Sequence, residues 1–404
     1  MRASELPPAV ARWPVTYAAD EVPHLTIEPT TECNLRCRLC YRTERAGAKT
    51  LDQVKAEIDL GLRLRRLESI SLVGGEPTLH PELPAIVAHA KARGLLVNLV
   101  TNGERLLDAD GPTLLAELGR AGLDRVVLHV DEGQREERGD PAELRAAIFP
   151  RIARERLPFS LSLTLFPNDI PRLPALLRDC GRFPGFDGAL TTLALEAGRL
   201  GEPGAAGGQQ LREVHRAMAE GLGLQPTAYL PSSLDRQHVT WLLYFYLLNS
   251  ESGAVFGVSP VFNRLFRQAH RTLRGRHVFS MAMRPDWARL SLLASAAGEL
   301  ALSPRRGLAL ARLFEGSRAG RALRFHYLIV QRPPERDPRS GRLHLCFRCP
   351  DATVRDGRLT PVCLADRLRP LGRGPTPADA ALAEEISAHL EPPARRRARR
   401  GVGP

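Results

Sequence analysis

The stretch TECNLRCRLC sets three thiols within eight residues, in the spacing Cys33-x3-Cys37-x2-Cys40. A free cysteine can serve as a small buried apolar residue. Here Arg36 and Arg38 lie between the thiols, which suits a loop and not a core strand. In a reducing compartment such a cluster points to metal or catalysis, not to disulfides. A structural zinc site normally takes four protein ligands, and this motif offers three. Iron–sulfur clusters are held by cysteine thiolates. A four-iron cluster on three thiolates keeps one iron free for another ligand, and Arg36, Arg38 and Arg42 would offset its negative charge.

A second group follows near the C-terminal end: Cys346-x2-Cys349, then Cys363 beyond an Asp356-Gly357 hairpin-type turn. It again offers three thiols. Cys180 falls in a helical stretch and makes a poor fourth ligand, whereas His344 could complete a Cys3His zinc site. Iron–sulfur and zinc both stay open for Cys346, Cys349 and Cys363.

These residues need elements to hold them. Strand-like runs occur at His24–Pro29, Ile70–Val73, Leu95–Val100, Arg125–Val130, Phe159–Leu165 and Leu190–Leu195. Helical stretches lie between them at Leu51–Leu67, Pro81–Arg93, Thr113–Arg120, Pro141–Arg156 and Ile170–Arg182. Such alternation predicts parallel β/α units. Six units are too few for a closed eight-unit barrel, so the expected fold is α/β, an open partial (β/α)6 barrel with ligands at the carboxyl ends of its strands.

The expected organisation is an extension over 1–22, the barrel over 23–200, a mostly helical region or lid over 201–340, a cysteine module over 341–370 and a basic tail over 371–404. GEPGAAGGQQ is expected to be a linker, and HVTWLLYFYLLNS part of a buried helical core.

Three more motifs fall just after strands. SLVGGEPTLHP places Gly74, Gly75, Glu76 and Pro77 after the second strand, where two glycines let backbone approach a ligand closely. LVTNG places Thr101 and Asn102 after the third, and VVLHVDEG places His129 near the end of the fourth and Asp131 just after it. Alternation puts Ser160, Ser162 and Thr164 on one face of the fifth. Glu196 ends the sixth.

Together these motifs resemble the signature of the radical S-adenosylmethionine (SAM) superfamily, over about 175 residues in the same order. The resemblance implies that Cys33, Cys37 and Cys40 hold a [4Fe–4S] cluster whose open iron binds the amino and carboxylate groups of SAM. Reductive cleavage would release a 5′-deoxyadenosyl radical that abstracts hydrogen from substrate. It further implies that Gly74, Gly75, Glu76 and Pro77 hold the SAM amino group, and that Thr101, Asn102 and Asp131 lie by SAM. One departure concerns the residue before the third cysteine, often aromatic in the family and here Leu39, with Tyr41 following. The C-terminal cysteines resemble the auxiliary-cluster modules called twitch or SPASM, though with three cysteines where full ligation needs four.

Composition bounds the rest. The 404 residues carry a net charge of +12 with a pI near 9.9, and 43% are hydrophobic. No signal core and no apolar run of about 18 residues occurs, so the expected location is cytoplasmic. Basic and aromatic residues are not interleaved as in single-strand binders, which ranks nucleic acid last among partners. The expected function is a radical SAM oxidoreductase or transferase acting on a peptide or small molecule, reduced by a flavodoxin or ferredoxin. The apolar stretch after residue 238 raises a lipid or isoprenoid substrate and a peripheral membrane contact as rivals. A non-catalytic iron–sulfur or zinc scaffold for an acidic partner is the alternative of another class.

Overall fold

The computed structural model describes residues 1–37, 39–45, 47–194, 206–279, 297–298, 300–301, 303–314, 323–369 and 376–391. Arg38, Glu196, the start of the expected linker and most of the basic tail lie outside the described residues.

Six strands pair in chain order and all in parallel. They are β1 (His24–Thr30), β2 (Ser69–Gly74), β3 (Leu96–Thr101), β4 (Arg125–Leu128), β5 (Phe159–Leu165) and β6 (Phe186–Leu193). Between them run α1 (Leu51–Leu64), α2 (Leu83–Ala92), α3 (Gly111–Ala121), α4 (Pro141–Arg154) and α5 (Leu173–Cys180). Local sequence sets their ends. Thr50 and Gln53 cap α1 reciprocally, at 3.3 and 2.9 Å. Gly122 stops α3 with a left-handed φ of 96°.

Period-two alternation then sorts each strand into two faces. Leu25, Ile27, Ile70, Leu72, Val97, Leu99, Val126 and Leu128 are fully buried in one core with Val54, Ile58, Ile86 and Ile148 of the helices. The other face carries Thr26, Ser71, Asn98, Arg125 and Thr192 toward an internal cavity. The expected α/β barrel is present in this arrangement.

The sheet does not stop at β6. β10 (Leu323–Gln331) joins β6 in parallel, β8 (Val239–Asn249) joins β10 antiparallel, and β7 (Ala228–Pro231) and β9 (Val255–Gly257) join β8. This makes a sheet of ten strands among the described residues. It corrects the expectation of a mostly helical region over 201–340. Helices do form at α6 (Ala206–Leu222), α7 (Pro260–Arg274) and α8 (Pro304–Phe314), and α6 takes up the second half of the expected linker. But Val239–Asn249, expected to be helical, is the longest strand. Its run VTWLLYFYLLN is covered on both faces, so no alternation shows, and period alone cannot separate such a strand from a buried helix. Its aromatic and β-branched residues favour the strand.

Residues 1–22 cover β7 and β8. Ala3 and Val10 are buried, and Val15 N–H donates to the Tyr229 carbonyl at 2.8 Å. At the opposite edge, β1 is flanked by the cysteine module. There β11 (Glu335–Arg336) pairs with β12 (Leu343–His344), and β13 (Ala352–Arg355) with β14 (Arg358–Pro361). Asp356 and Gly357 make the expected turn, with φ of 48° and 70°. Thr26 Oγ1 donates to the Ala352 carbonyl at 3.0 Å, and α9 (Pro377–Leu390) covers the hairpin. No described helix is long and apolar enough to cross a membrane.

Candidate functional site

The three N-terminal thiols sit on an irregular loop after β1. Arg45 holds it from behind, donating to the carbonyls of Cys33 (3.0 Å) and Leu35 (2.6 Å). The Arg36 amide donates to Glu137 at 3.0 Å, and Cys33 Sγ accepts from the Leu35 amide at 3.4 Å. The end of β2 locks against the same loop. Gly75 N–H donates to the Thr30 carbonyl at 3.0 Å and Glu76 N–H to the Glu32 carbonyl at 2.7 Å. A Cβ on Gly75 would fall on the Glu32 carbonyl, and one on Gly74, at φ 122°, on that of Thr30. The glycines are thus required by the approach of the cysteine loop itself.

Glu76 is 1% exposed and works as a knot. One of its oxygens accepts from Thr78 N (3.1 Å), Thr78 Oγ1 (2.7 Å) and Thr101 Oγ1 (2.7 Å), the other from Asn102 N (2.7 Å). Burial pushes its pKa up against those bonds. Asn102 Nδ2 in turn donates to Asn34 Oδ1 at 2.7 Å, beside Cys33. Asp131 ties β4 to β5 in the same way, accepting from Gly133 N (2.9 Å) and Thr164 N (2.6 Å). Hydrogen bonds thus join Glu76 to Thr101 and Asn102, and these residues and Asp131 spend much of their hydrogen-bonding capacity on the chain. Pro77 is buried at the start of a short turn of 3₁₀ helix.

One cavity of about 340 Å³ collects these groups at the carboxyl ends of the parallel strands. Cys33, Cys37 and Cys40 line it, with Gly74, Gly75, Glu76, Thr101, Asn102 and Asp131. So do Cys346, Cys349 and Cys363. Of the row Ser160, Ser162 and Thr164, the last two line it while Ser160 is buried outside its lining, and His129 lines it with its Nδ1 2.9 Å from the Ser162 carbonyl. Trp241, Phe279, Arg125, Tyr327 and Asp351 also line it and carried no sequence signal. Trp241 comes from the strand expected to be helix, and its Nε1 donates to Cys346 Sγ at 2.9 Å.

The second triad is built on a tight knuckle, where Arg348 and Cys349 take positive φ of 56° and 27°. His344 is turned elsewhere. Its Nδ1 lies 2.7 Å from Ser232 Oγ and its ring stacks on His238 at 3.8 Å. Cys180 is buried in the outer layer of helices.

Burial pushes thiols of this cavity upward: Cys37, next to Cys40, to about 12, and Cys33, Cys40 and Cys363 also above their usual range. Cys349 rises too, led by its hydrogen bond with Cys346. Loading metal must therefore expel protons from these sites. Among the described residues no three Cys, His, Asp or Glu side chains are gathered as ligands of one ion would be.

Residues 27–172 match the family model of the radical SAM superfamily, and this part of the chain is a radical SAM domain. A domain of that family implies a [4Fe–4S] cluster and SAM, which the thiol loop and the cavity beside it fit. Among curated proteins, a tungsten-containing aldehyde ferredoxin oxidoreductase cofactor-modifying protein of Pyrococcus furiosus is 33% identical over 112 residues, 27% of this chain and 30% of that protein. A PqqA peptide cyclase of Xanthomonas euvesicatoria pv. vesicatoria is 30% identical over 171 residues, 37% of this chain and 42% of that protein. The chain thus spans less than half the length of these relatives. Among solved structures, SAM-bound SuiB of Streptococcus suis aligns with a TM-score of 0.36 and 16% identity, over 44% of this chain and 42% of that one.

Proposed function

We propose that this protein is a radical SAM enzyme that modifies a peptide or small molecule, with Cys33, Cys37 and Cys40 holding the SAM-binding cluster and Cys346, Cys349 and Cys363 an auxiliary iron–sulfur cluster. The observation that carries the reading is that both thiol triads and the ends of β2, β3 and β4 line one cavity. A cluster and SAM bound there would supply reductive cleavage of SAM and a carbon radical for hydrogen abstraction.

The chain's own part is positioning and exclusion of water. Gly74 and Gly75 let backbone come close to the thiol loop. Glu76 and Asp131 brace the strand ends whose backbone faces the ligand. Trp241, Phe279 and Leu39 give the cavity an apolar boundary. The orientation of His344 supports iron–sulfur over a Cys3His zinc knuckle at the second triad. The partial likeness to a PqqA peptide cyclase supports the peptide as substrate. A flavodoxin or ferredoxin in a reducing cytoplasm would supply the electron.

The test is anaerobic reconstitution with counts of iron, sulfide and zinc, then SAM and dithionite and assay of 5′-deoxyadenosine. About eight irons, no zinc and 5′-deoxyadenosine are expected, by the two-cluster ligand count. Cys37→Ala should lose cleavage and about half the iron. Cleavage retained in Cys37→Ala would refute the assignment of the first triad. About four irons with one zinc would refute that of the second.

A further inference from the structure

We infer that Asp366, three residues beyond Cys363, is a positioning residue for the Cys33–Cys40 loop, so that the C-terminal module completes the N-terminal thiol site as well as carrying thiols of its own. This rests on the radical SAM reading of the first triad.

The argument starts from a group of four buried charges. Glu28 on β1 and Asp366 have side chains 0% and 4% exposed, and Arg42 and Arg355 have side chains 3% and 5% exposed. Arg42 pairs with Glu28 and sits 3.0 Å from Asp366 Oδ1. Arg355, at the end of β13, reaches Glu28 at 3.0 Å and Asp366 at 3.1 Å. Two carboxylates and two guanidiniums cancel in charge, as burial demands.

The four come from β1, the first thiol loop, the module's hairpin and the helical turn after Cys363. Arg42 is two residues past Cys40. Asp366 also reaches the loop's backbone, its Oδ2 accepting from Thr43 N (2.9 Å) and Glu44 N (3.2 Å). That loop has little regular hydrogen bonding of its own, so side chains such as Arg45 and Asp366 decide where its thiols stand.

A parallel tie runs the other way. Arg65, beyond α1, donates to the His24 carbonyl of β1 and to the carbonyls of Arg348 (3.0 Å) and Cys349 (3.1 Å) in the second thiol knuckle. Both thiol loops are thereby fastened to β1, and Asp366 is the module's direct hold on the first.

The test is hydrogen exchange by mass spectrometry on the full-length, metal-free chain, which reads loop position without needing iron. Asp366→Ala removes both the ion pairs and the backbone acceptor. Asp366→Asn keeps an oxygen for Thr43 and Glu44 but loses the charge. Exchange in residues 33–45 should speed by about tenfold or more in the Ala variant and by less in the Asn variant, while residues 352–361 keep wild-type protection. After reconstitution, the change that SAM makes in the electron paramagnetic resonance of the reduced first cluster should shrink in the same order. Wild-type exchange in 33–45, or faster exchange shared equally with 352–361, would overturn the inference. If the Ala variant fails to fold, the Asn variant decides by the same two regions. Retained SAM cleavage in Cys37→Ala would sink the underlying reading but leave the exchange result standing, so the two fail separately.

Discussion

Replacing Glu76 with alanine should destabilise the chain before it affects ligand binding. The carboxylate accepts from four donors on three residues: Thr78 twice, Thr101 and the Asn102 amide. The two hydroxyls can turn to other acceptors, whereas the two backbone N–H groups cannot. Each buried donor left unmade costs about 1–3 kcal/mol, which gives roughly 2–6 kcal/mol for the pair. Relief of carboxylate burial, which raises the Glu76 pKa, offsets part of this, leaving a net loss of about 3 kcal/mol. Against a typical stability of about 5–15 kcal/mol that is a large fraction. Asn102 would also lose its hold beside Asn34 and Cys33, so iron retention should fall together with stability. Glu76→Gln, which keeps one carbonyl acceptor, should recover about half the loss. The assay is urea unfolding of the metal-free chain, with iron retention and SAM binding measured in parallel. An Ala variant with the wild-type unfolding midpoint but no SAM affinity would refute the reasoning. It would mean that Glu76 spends its oxygens on SAM and not on the chain.

Three further outcomes follow from local geometry. Gly75→Ala drives a methyl into the Glu32 carbonyl and should cost at least about 1–3 kcal/mol and most of the first triad's iron. Gly119→Ala, in α3 with open space at its Cβ, should instead stabilise by about 0.5–1 kcal/mol, and equal effects in the two by thermal unfolding would contradict the close approach. His326→Phe should stabilise at neutral pH, because His326 is fully buried, stacked on Tyr246 and tilted against Phe186, with neither ring nitrogen bonded among the described residues. Burial lowers its pKa to about 3, so its neutral form's stability is present above about 6.5 and is lost as pH falls toward 3. The difference between wild type and variant should therefore widen through that window, by at most on the order of 5 kcal/mol. A parallel pH dependence would show that His326 finds partners.

What could be read from the sequence followed from where burial is one-sided. β1 to β5 alternate between a helix-facing and a cavity-facing row, and their expected ends fall within about two residues of those observed. β6 begins at Phe186, earlier than the expected Leu190, because Asp187 and Gly188 look like a turn, while the structure pairs Asp187 with Arg125 and sets Gly188 against Tyr327. β8 was illegible because both of its faces are covered. The thiols and the motifs after β2, β3 and β4 were legible because each is a short run at a strand end. That Glu76 spends its oxygens on Thr101 and Asn102 was not, since side-chain partners about 25 residues away leave no local pattern. Trp241 and Asp351 gave no signal for the same reason.

The placement of the second triad bears on why the chain extends so far past its barrel. A module that only stabilised the fold could sit on any face. This one lies on the free edge of β1, the strand that leads into the first thiol loop, and it turns all three of its thiols into the same cavity. An edge strand needs covering in any case. A cover made of short strands, fastened by Arg65 on one side and by Glu28, Arg42, Arg355 and Asp366 on the other, also fixes the spacing of the two triads. Under the proposed two-cluster reading such fixed spacing would matter, because a displacement of about an ångström can cost two orders of magnitude in rate. Buried ion pairs are a poor source of net stability. Their presence between the thiol loop and the module is better explained by the geometry they impose.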